Sequence, residues 1–243
     1  MRLAIFSAFP HEVKPLVKNL SAARISKTLP FTLFLAPYLS GEVIVVQTGM
    51  GTHNIEASLS YVIEKHAPTI LLSSGFGGAL YDEATIGELV WASKVLLVNN
   101  GVRGTLDLPD RKRLFGTISQ KLAIRRGSVV TLEKWMEKPD IKRALAGQFS
   151  FPVCDMETFP LAKASVKYGL PFVAIRAITD RSHEEIPPQL LNVSDKSGHY
   201  RLSRSLKVLL GNPSVIPRAV TLGRNSAIAA ENLWRAIKVF MDV

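Results

Sequence analysis

At 243 residues, with 47% hydrophobic and 21% charged side chains, the chain can bury a sizeable core and reads as one globular domain, 1–243. Its formal charge of +10 spreads through Arg103 to Arg143 and Lys196 to Lys238, without a block of like charges or interleaved aromatics, which argues against nucleic acid. A solvated basic surface and one that meets anionic lipid or an anionic substrate both remain open.

The longest uncharged run, Ala67 to Tyr81, has 15 residues and three glycines, too short and too broken to span a bilayer. The opening MRLAIFSAFPHE reads as a first strand and not as a signal peptide, so the expected compartment is cytoplasmic. The single cysteine, Cys154, forms no intrachain disulfide and reads as a small core residue.

In chain order, Leu3 to Phe9 is an apolar strand, and His11 to Val17 a short helical pattern. Glu12 then lies just past a strand end, where open α/β sheets build their sites; the same position suits an acid that complements a helix dipole. Phe31 to Tyr38 and Glu42 to Thr48 read as a hairpin through Ser40-Gly41. Gly49-Met50-Gly51 leads into a helix from Thr52 whose Ile55, Leu59, Val62 and Ile63 share one face.

A strand at Thr69 to Leu72 runs into a glycine-rich turn, Gly75-Phe76-Gly77-Gly78, which is either a structural device or a loop that approaches a ligand. It carries neither the dinucleotide fingerprint nor a P-loop. Ile86 to Trp91 and Lys94 to Val98 add strand material. Asn99 to Phe115, polar and broken by Gly101, Gly104 and Pro109, reads as a surface excursion of the kind that forms a lid. Ser128 to Thr131 is another strand, followed by Trp135 and Met136 and by a helix from Pro139 to Ala146; a Trp beyond a strand end stacks on a flat ligand or packs on the core. Next come a helix opened by Asp155-Met156-Glu157, a Gly169-Leu170-Pro171 turn and a strand, Phe172 to Ile178, ending in Thr179-Asp180. The alternation of strands and helices predicts an α/β fold with a central mixed sheet flanked by helices.

The stretches LAIFSAFPHEV (3–13), TGMG (48–51), SGFGGAL (74–80), DMET (155–158) and IRAITD (175–180) come in an order and at spacings that resemble the purine nucleoside phosphorylase and nucleosidase superfamily. Over residues 1 to about 182 the resemblance is greatest to methylthioadenosine/S-adenosylhomocysteine nucleosidases. It implies that Met156 and Glu157 meet the sugar, with Glu157 accepting hydrogen bonds from ribose hydroxyls, and that Asp180 protonates or hydrogen-bonds purine N7. It places Arg176 and Glu12 around an attacking water, Trp135 and Met136 against the base, and Phe76 and Gly77 beneath the nucleophile. It also implies a homo-oligomer. Residues 183–243, a helical C-terminal extension of the same domain, resemble hopanoid-associated phosphorylases, which implies an adenosyl lipid as substrate. Ala230, Leu233, Trp234, Ile237, Phe240 and Met241 give the last helix an apolar face.

The chemistry calls for these residue types independently. Cleaving a C–N glycosidic bond builds positive charge on the ribose while the purine departs poorly as an anion, so an acid at N7 and a carboxylate holding the hydroxyls each lower the barrier. The expected reaction is N-glycosidic cleavage of a purine nucleoside or 5′-substituted adenosine. Hydrolysis, with Glu12 as base, and phosphorolysis, with Arg176 and other basic residues serving inorganic phosphate as co-substrate, both stay open. No cofactor or metal is expected, since no cluster has metal-ligand spacing. Two further readings remain: a nucleoside-binding regulatory protein without activity, and a peripheral membrane module using the basic C-terminal helices. Phe76 stands where nucleosidases commonly carry a small polar residue.

Overall fold

The computed structural model describes residues 1–25, 30–39, 41–49, 54–134, 136–145, 147–184, 186–187 and 211–243, except the side chain of residue 143. Trp135, Met50, Gly51, Thr52 and the 188–210 part of the C-terminal stretch lie outside them. The elements in order are β1 (Arg2–Ser7), α1 (Pro10–Asn19), β2 (Ala23–Arg24), β3 (Thr32–Tyr38), β4 (Gly41–Gln47), α2 (Ile55–His66), β5 (Ile70–Ala79), β6 (Leu89–Val98), β7 (Val102–Asp107), α3 (Lys112–Lys121), β8 (Ile124–Leu132), α4 (Lys138–Leu145), β9 (Pro152–Asp155), α5 (Thr158–Lys167), β10 (Phe172–Asp180) and α6 (Ile216–Met241).

Strands β1, β4, β5 and β10 are nearly continuous apolar runs, as expected of parallel strands covered on both faces. Their side chains divide with period two. Leu3, Ile5, Val43 and Val45 join Val13 and Leu16 of α1, Ile118 of α3 and Leu233, Ile237 and Phe240 of α6 in one cluster. Ala4, Phe6, Ile44 and Val46 join Ile55, Leu59 and Val62 of α2 and Leu161 of α5 in another. The result is an α/β fold with helices on both faces of a mixed sheet.

The ten-stranded sheet runs β10-β6-β8-β9-β5-β1-β4-β3-β2, with β7 paired to β6. Because β10 also pairs with β5, five of these strands, β5, β10, β6, β8 and β9, close on one another, and β1, β4, β3 and β2 continue from β5 as an open wing. The predicted β3–β4 hairpin is present in antiparallel register, from Thr32 opposite Gln47 to Tyr38 opposite Gly41.

Two expectations are corrected. The polar segment at 99–115 is not a lid: β7 pairs antiparallel with β6 and α3 begins at Lys112. An edge strand needs pairing on one side only, so its outward residues stay polar and hide it from a hydrophobicity reading. The glycine run at 75–78 is no turn either. It is the second half of β5, and Gly75, Phe76, Gly77 and Gly78 stand in register with Arg176, Ala177, Ile178 and Asp180 of β10. The glycines are there because neighbours occupy the space of their missing side chains. A Cβ on Gly75 would lie 2.9 Å from Glu12 Oε1, one on Gly77 2.2 Å from Val153 Cγ1, and one on Gly78 2.7 Å from Asp180 Oδ2.

Helix α6 covers the closed end of the sheet with Ala229, Ala230, Leu233, Ala236, Ile237, Phe240 and Met241. Asn225 Nδ2 donates to the Thr179 carbonyl at 2.8 Å and Asn232 Nδ2 to the Gly87 carbonyl at 2.9 Å. Leu233 is fully packed. Leu233→Ala is expected to remove about 2–5 kcal/mol of stability, read as a lower urea midpoint at unchanged slope. A midpoint equal to that of the parent chain would contradict this packing.

Candidate active site

Where β1 ends and α1 begins, beside the middle of β5, a narrow cleft is lined by residues that include Ser7, Glu12, Thr48, Phe76, Glu157 and Arg176. Four of the residues singled out in the sequence, Glu12, Phe76, Glu157 and Arg176, thus meet at one opening.

Glu12 is fixed from three sides. Its Oε2 accepts hydrogen bonds from the backbone N–H groups of Ala8 and Phe9, each at 2.8 Å, and its Oε1 accepts from Phe76 N–H at 2.7 Å. The Phe9 bond closes the first turn of α1, so the helix-capping role and the site position coincide in one side chain. Burial pushes the Glu12 carboxyl above the ordinary glutamate range, opposed by the Phe9, Phe76 and Ala8 N–H bonds and by the charge of Arg176. Such a group takes up a proton more readily than an exposed glutamate. Ser7 Oγ, on the same cleft, is buried and has no hydrogen-bond partner among the described residues.

Arg176 comes from the middle of β10, where every residue is buried. Its guanidinium is held by Asp155, with Nε 3.0 Å and Nη2 2.7 Å from Oδ2. Nη2 also donates to Ser73 Oγ at 2.7 Å and to Thr158 Oγ1, and Nη1 to the Ile175 carbonyl at 2.9 Å. Asp155 is itself saturated. Its Oδ1 accepts from Thr131 Oγ1 at 2.7 Å, and its Oδ2 accepts from Thr158 N–H at 3.1 Å and from the Thr158 hydroxyl. A buried ion pair tolerates its desolvation only with such a complete set of partners. Asp155 was legible as the first letter of DMET but not as the anchor of Arg176. It ends β9, and the helix begins only at Thr158, so Asp155 belongs to the sheet and not to the helix opening.

Glu157 sits at the mouth of the cleft, half-buried, its Oε2 accepting from Met156 N–H at 3.3 Å. Met156 and Met136 both pack against the cluster of Leu80, Leu96, Val130 and Cys154. Burial raises the Cys154 thiol to about 12, which leaves it inert and agrees with its reading as a core residue. Gly77 lies within β5 against Val153.

Asp180 is placed apart from the cleft lining, at the end of β10. Only 2% of its side chain is exposed. Its Oδ1 accepts from Thr179 Oγ1 at 2.8 Å, and its Oδ2 lies 2.5 Å from Lys138 Nζ, an ion pair. Sequence reasoning missed Lys138. One signal was available: a lysine in the first turn of a helix opposes the helix dipole and asks for another reason to be there. Among the described residues no group of His, Cys, Asp and Glu side chains has the arrangement of a metal site, and no helix is long and apolar enough to cross a membrane.

With this geometry in view, the comparisons with known proteins are specific. The family profile of the phosphorylase superfamily matches residues 2–199. A 5′-methylthioadenosine/S-adenosylhomocysteine nucleosidase of Shewanella halifaxensis is 26% identical over 220 residues, covering 82% of this chain and 95% of its own. The Shewanella baltica enzyme of the same name is 25% identical over 240 residues, covering 90% of this chain and 100% of its own. Among solved structures, the Campylobacter jejuni nucleosidase of that name superposes with a TM-score of 0.70 at 18% identity, covering 98% and 99% of the two chains. Futalosine hydrolase of Helicobacter pylori superposes with a TM-score of 0.73 at 14% identity, covering 100% and 97%. At these identities the solved structures speak for the fold, and the match to the family over most of the sequence speaks for descent: the chain belongs to the phosphorylase superfamily.

Proposed function

We propose that this chain is an enzyme that hydrolyses the N-glycosidic bond of a purine nucleoside, with 5′-substituted adenosines as its substrate class. Curated relatives that match over most of its length are nucleosidases acting on methylthioadenosine and S-adenosylhomocysteine by name. The reaction draws on no cofactor, because side chains carry its chemistry.

The observation that carries the hydrolytic form is Glu12. A phosphate co-substrate needs free backbone N–H groups or an unoccupied guanidinium. At this cleft the N–H groups of Ala8, Phe9 and Phe76 are already taken by the Glu12 carboxylate, and the Arg176 guanidinium is engaged by Asp155. A carboxylate so placed repels a phosphate but accepts a proton from water. Glu12 is therefore read as the base that activates the attacking water, with the Ser7 hydroxyl, which has no partner among the described residues, on the same cleft.

In this reading Glu157 holds the ribose hydroxyls from the cleft mouth, and Met156 and Phe76 pack along the sugar. Met136, with Trp135 as the resemblance implies, borders the base. Asp180 delivers a proton to N7 as the base leaves. Arg176 is a positioning residue that acts through its charge on Glu12 and through Asp155. The 5′ group is the finer part of the proposal: an apolar one, up to a hopanoid-linked adenosine, rests on the character of residues 183–243 and not on the cleft. Assembly as a homo-oligomer belongs to the same finer part.

Incubation with adenosine, methylthioadenosine and an apolar 5′-substituted adenosine, with and without phosphate, should release adenine and the free sugar in all conditions where turnover occurs. Release that requires phosphate would overturn the hydrolytic reading. A chain that binds adenine yet releases none from any of the three would be a binding protein instead.

Glu12→Gln is expected to lower kcat roughly 100- to 10,000-fold with little change in KM. The base must be ionised, and burial raises its pKa. The acid limb of the kcat/KM profile of the unmodified enzyme should therefore lie above 4.5, the ordinary glutamate value, with activity falling as pH drops through it. An acid limb that persists unchanged in Glu12→Gln would assign it to another group.

A further inference from the structure

The contact that the reading above leaves unexplained is Lys138. It is the first residue of α4, its side chain is 6% exposed, and its Nζ lies 2.5 Å from Asp180 Oδ2. The ammonium is held on its other sides by backbone: it donates to the Asp180 carbonyl at 3.4 Å and to the Arg181 carbonyl. Strand β5 leaves room for the pair. A Cβ on Gly78 would lie 2.7 Å from Asp180 Oδ2 and 3.3 Å from Lys138 Cε. A second tie fixes α4 on the same loop. Lys142 Nζ donates to Asp82 Oδ1 at 3.2 Å, and Ser182 Oγ donates to the same oxygen at 2.6 Å.

Stability alone is a weak reason for this arrangement. Removing two charges from water costs several kcal/mol per ion, and apolar replacements of buried pairs are often neutral or stabilising. Chemistry supplies a better reason, resting on the nucleosidase reading. A purine leaves as a poor anion unless it gains a proton, and a carboxylate has none to give. Within 2.5 Å of this carboxylate oxygen, which has no hydrogen-bond donor of its own among the described residues, stands an ammonium that carries protons.

We propose that Lys138 supplies, through Asp180, the proton that the departing purine takes up. As the bond from ribose C1′ to purine N9 breaks, its electron pair goes to the base. Asp180 takes a proton from the Lys138 ammonium and passes it to N7. The base departs neutral and a neutral amine is left beside the carboxylate. The oxygen of water bonds to C1′ and one of its protons goes to Glu12; after the products leave, Glu12 releases that proton to solvent and Lys138 takes one up. Before transfer the pair carries no net charge, so the proton can be shared between its two members without desolvating a new ion.

The test compares two substrates on one preparation of each variant. Methylthioadenosine needs a protonated leaving group, whereas para-nitrophenyl ribofuranoside, whose phenolate leaves unaided, does not. Lys138→Met and Lys138→Arg should both lose kcat on methylthioadenosine, by roughly 100-fold or more, and keep the parent rate on the nitrophenyl riboside. Arginine keeps the positive charge but does not give up its proton. Because the readout is the ratio of the two rates, a partly unfolded preparation of Lys138→Met does not distort it. A parent-like ratio in Lys138→Arg would reduce Lys138 to a counter-charge and overturn the proposal. So would an equal loss on both substrates in either variant. Failure of the unmodified enzyme to release adenine from any nucleoside would instead overturn the reading on which the proposal rests.

Discussion

The structure depends on a stretch of β5 with almost no side chains. From Gly75 to Gly78 the strand pairs with β10 and, at Gly78, with β9 in the closed part of the sheet, and a central strand normally fills both faces with its own side chains. Here the space belongs to others. Glu12 reaches in from α1 over Gly75, and Asp180 lies against Gly78. A methyl group at either position would approach a carboxylate oxygen more closely than packed atoms tolerate. The glycines are thus the means by which two acids from distant parts of the chain approach one strand, three residues apart along it.

Around that strand the two acids are held by unlike means. Glu12 rests on three backbone N–H groups and faces the cleft, where burial raises its pKa and favours proton uptake. Asp180 is closed in beside an ammonium. Between them the Arg176–Asp155 pair, with the hydroxyls of Ser73, Thr131 and Thr158, ties β10, β9, β8, β5 and α5 into one polar network through the sheet. Strand β10, which carries Asp180, belongs to this network, and so does β5, whose Phe76 N–H holds Glu12. Relative displacement of the two ends then disturbs several buried hydrogen bonds at once, which is the kind of rigidity a reaction at fixed geometry requires.

How much of this was legible in the sequence follows from what each signal measures. The apolar runs of β1, β4 and β10 gave their strands because burial there is written into the residues themselves. Strand β7 left no such trace, since pairing at an edge asks little of side chains. The glycine run was read as a turn because glycine after a strand marks one locally; its cause lies with Glu12 and Asp180, far away in the chain. Glu12, Glu157 and Arg176, which line one cleft, were singled out through the order of their motifs, as was Asp180, which lies apart from that lining. Asp155 was legible as a residue but not as a partner, because nothing local shows that Arg176 folds back onto it. Lys138 belongs to no motif at all.

That difference bears on how the two halves of the proposed reaction would be arranged. A base for water must face solvent long enough to receive the nucleophile, so Glu12 is anchored by backbone donors that leave its outer face on the cleft. An acid for the leaving group gains from the opposite surroundings: shielded from water, its proton passes to the base and not to solvent. The capping turn of α1 meets the first requirement with groups that any sequence carries. The second needs a partner of opposite charge brought in with it, since an isolated carboxylate at 2% exposure is too costly to bury. A lysine placed against its helix dipole at the start of α4 meets that need, and in the proposed reaction the same requirement of burial would double as a source of protons.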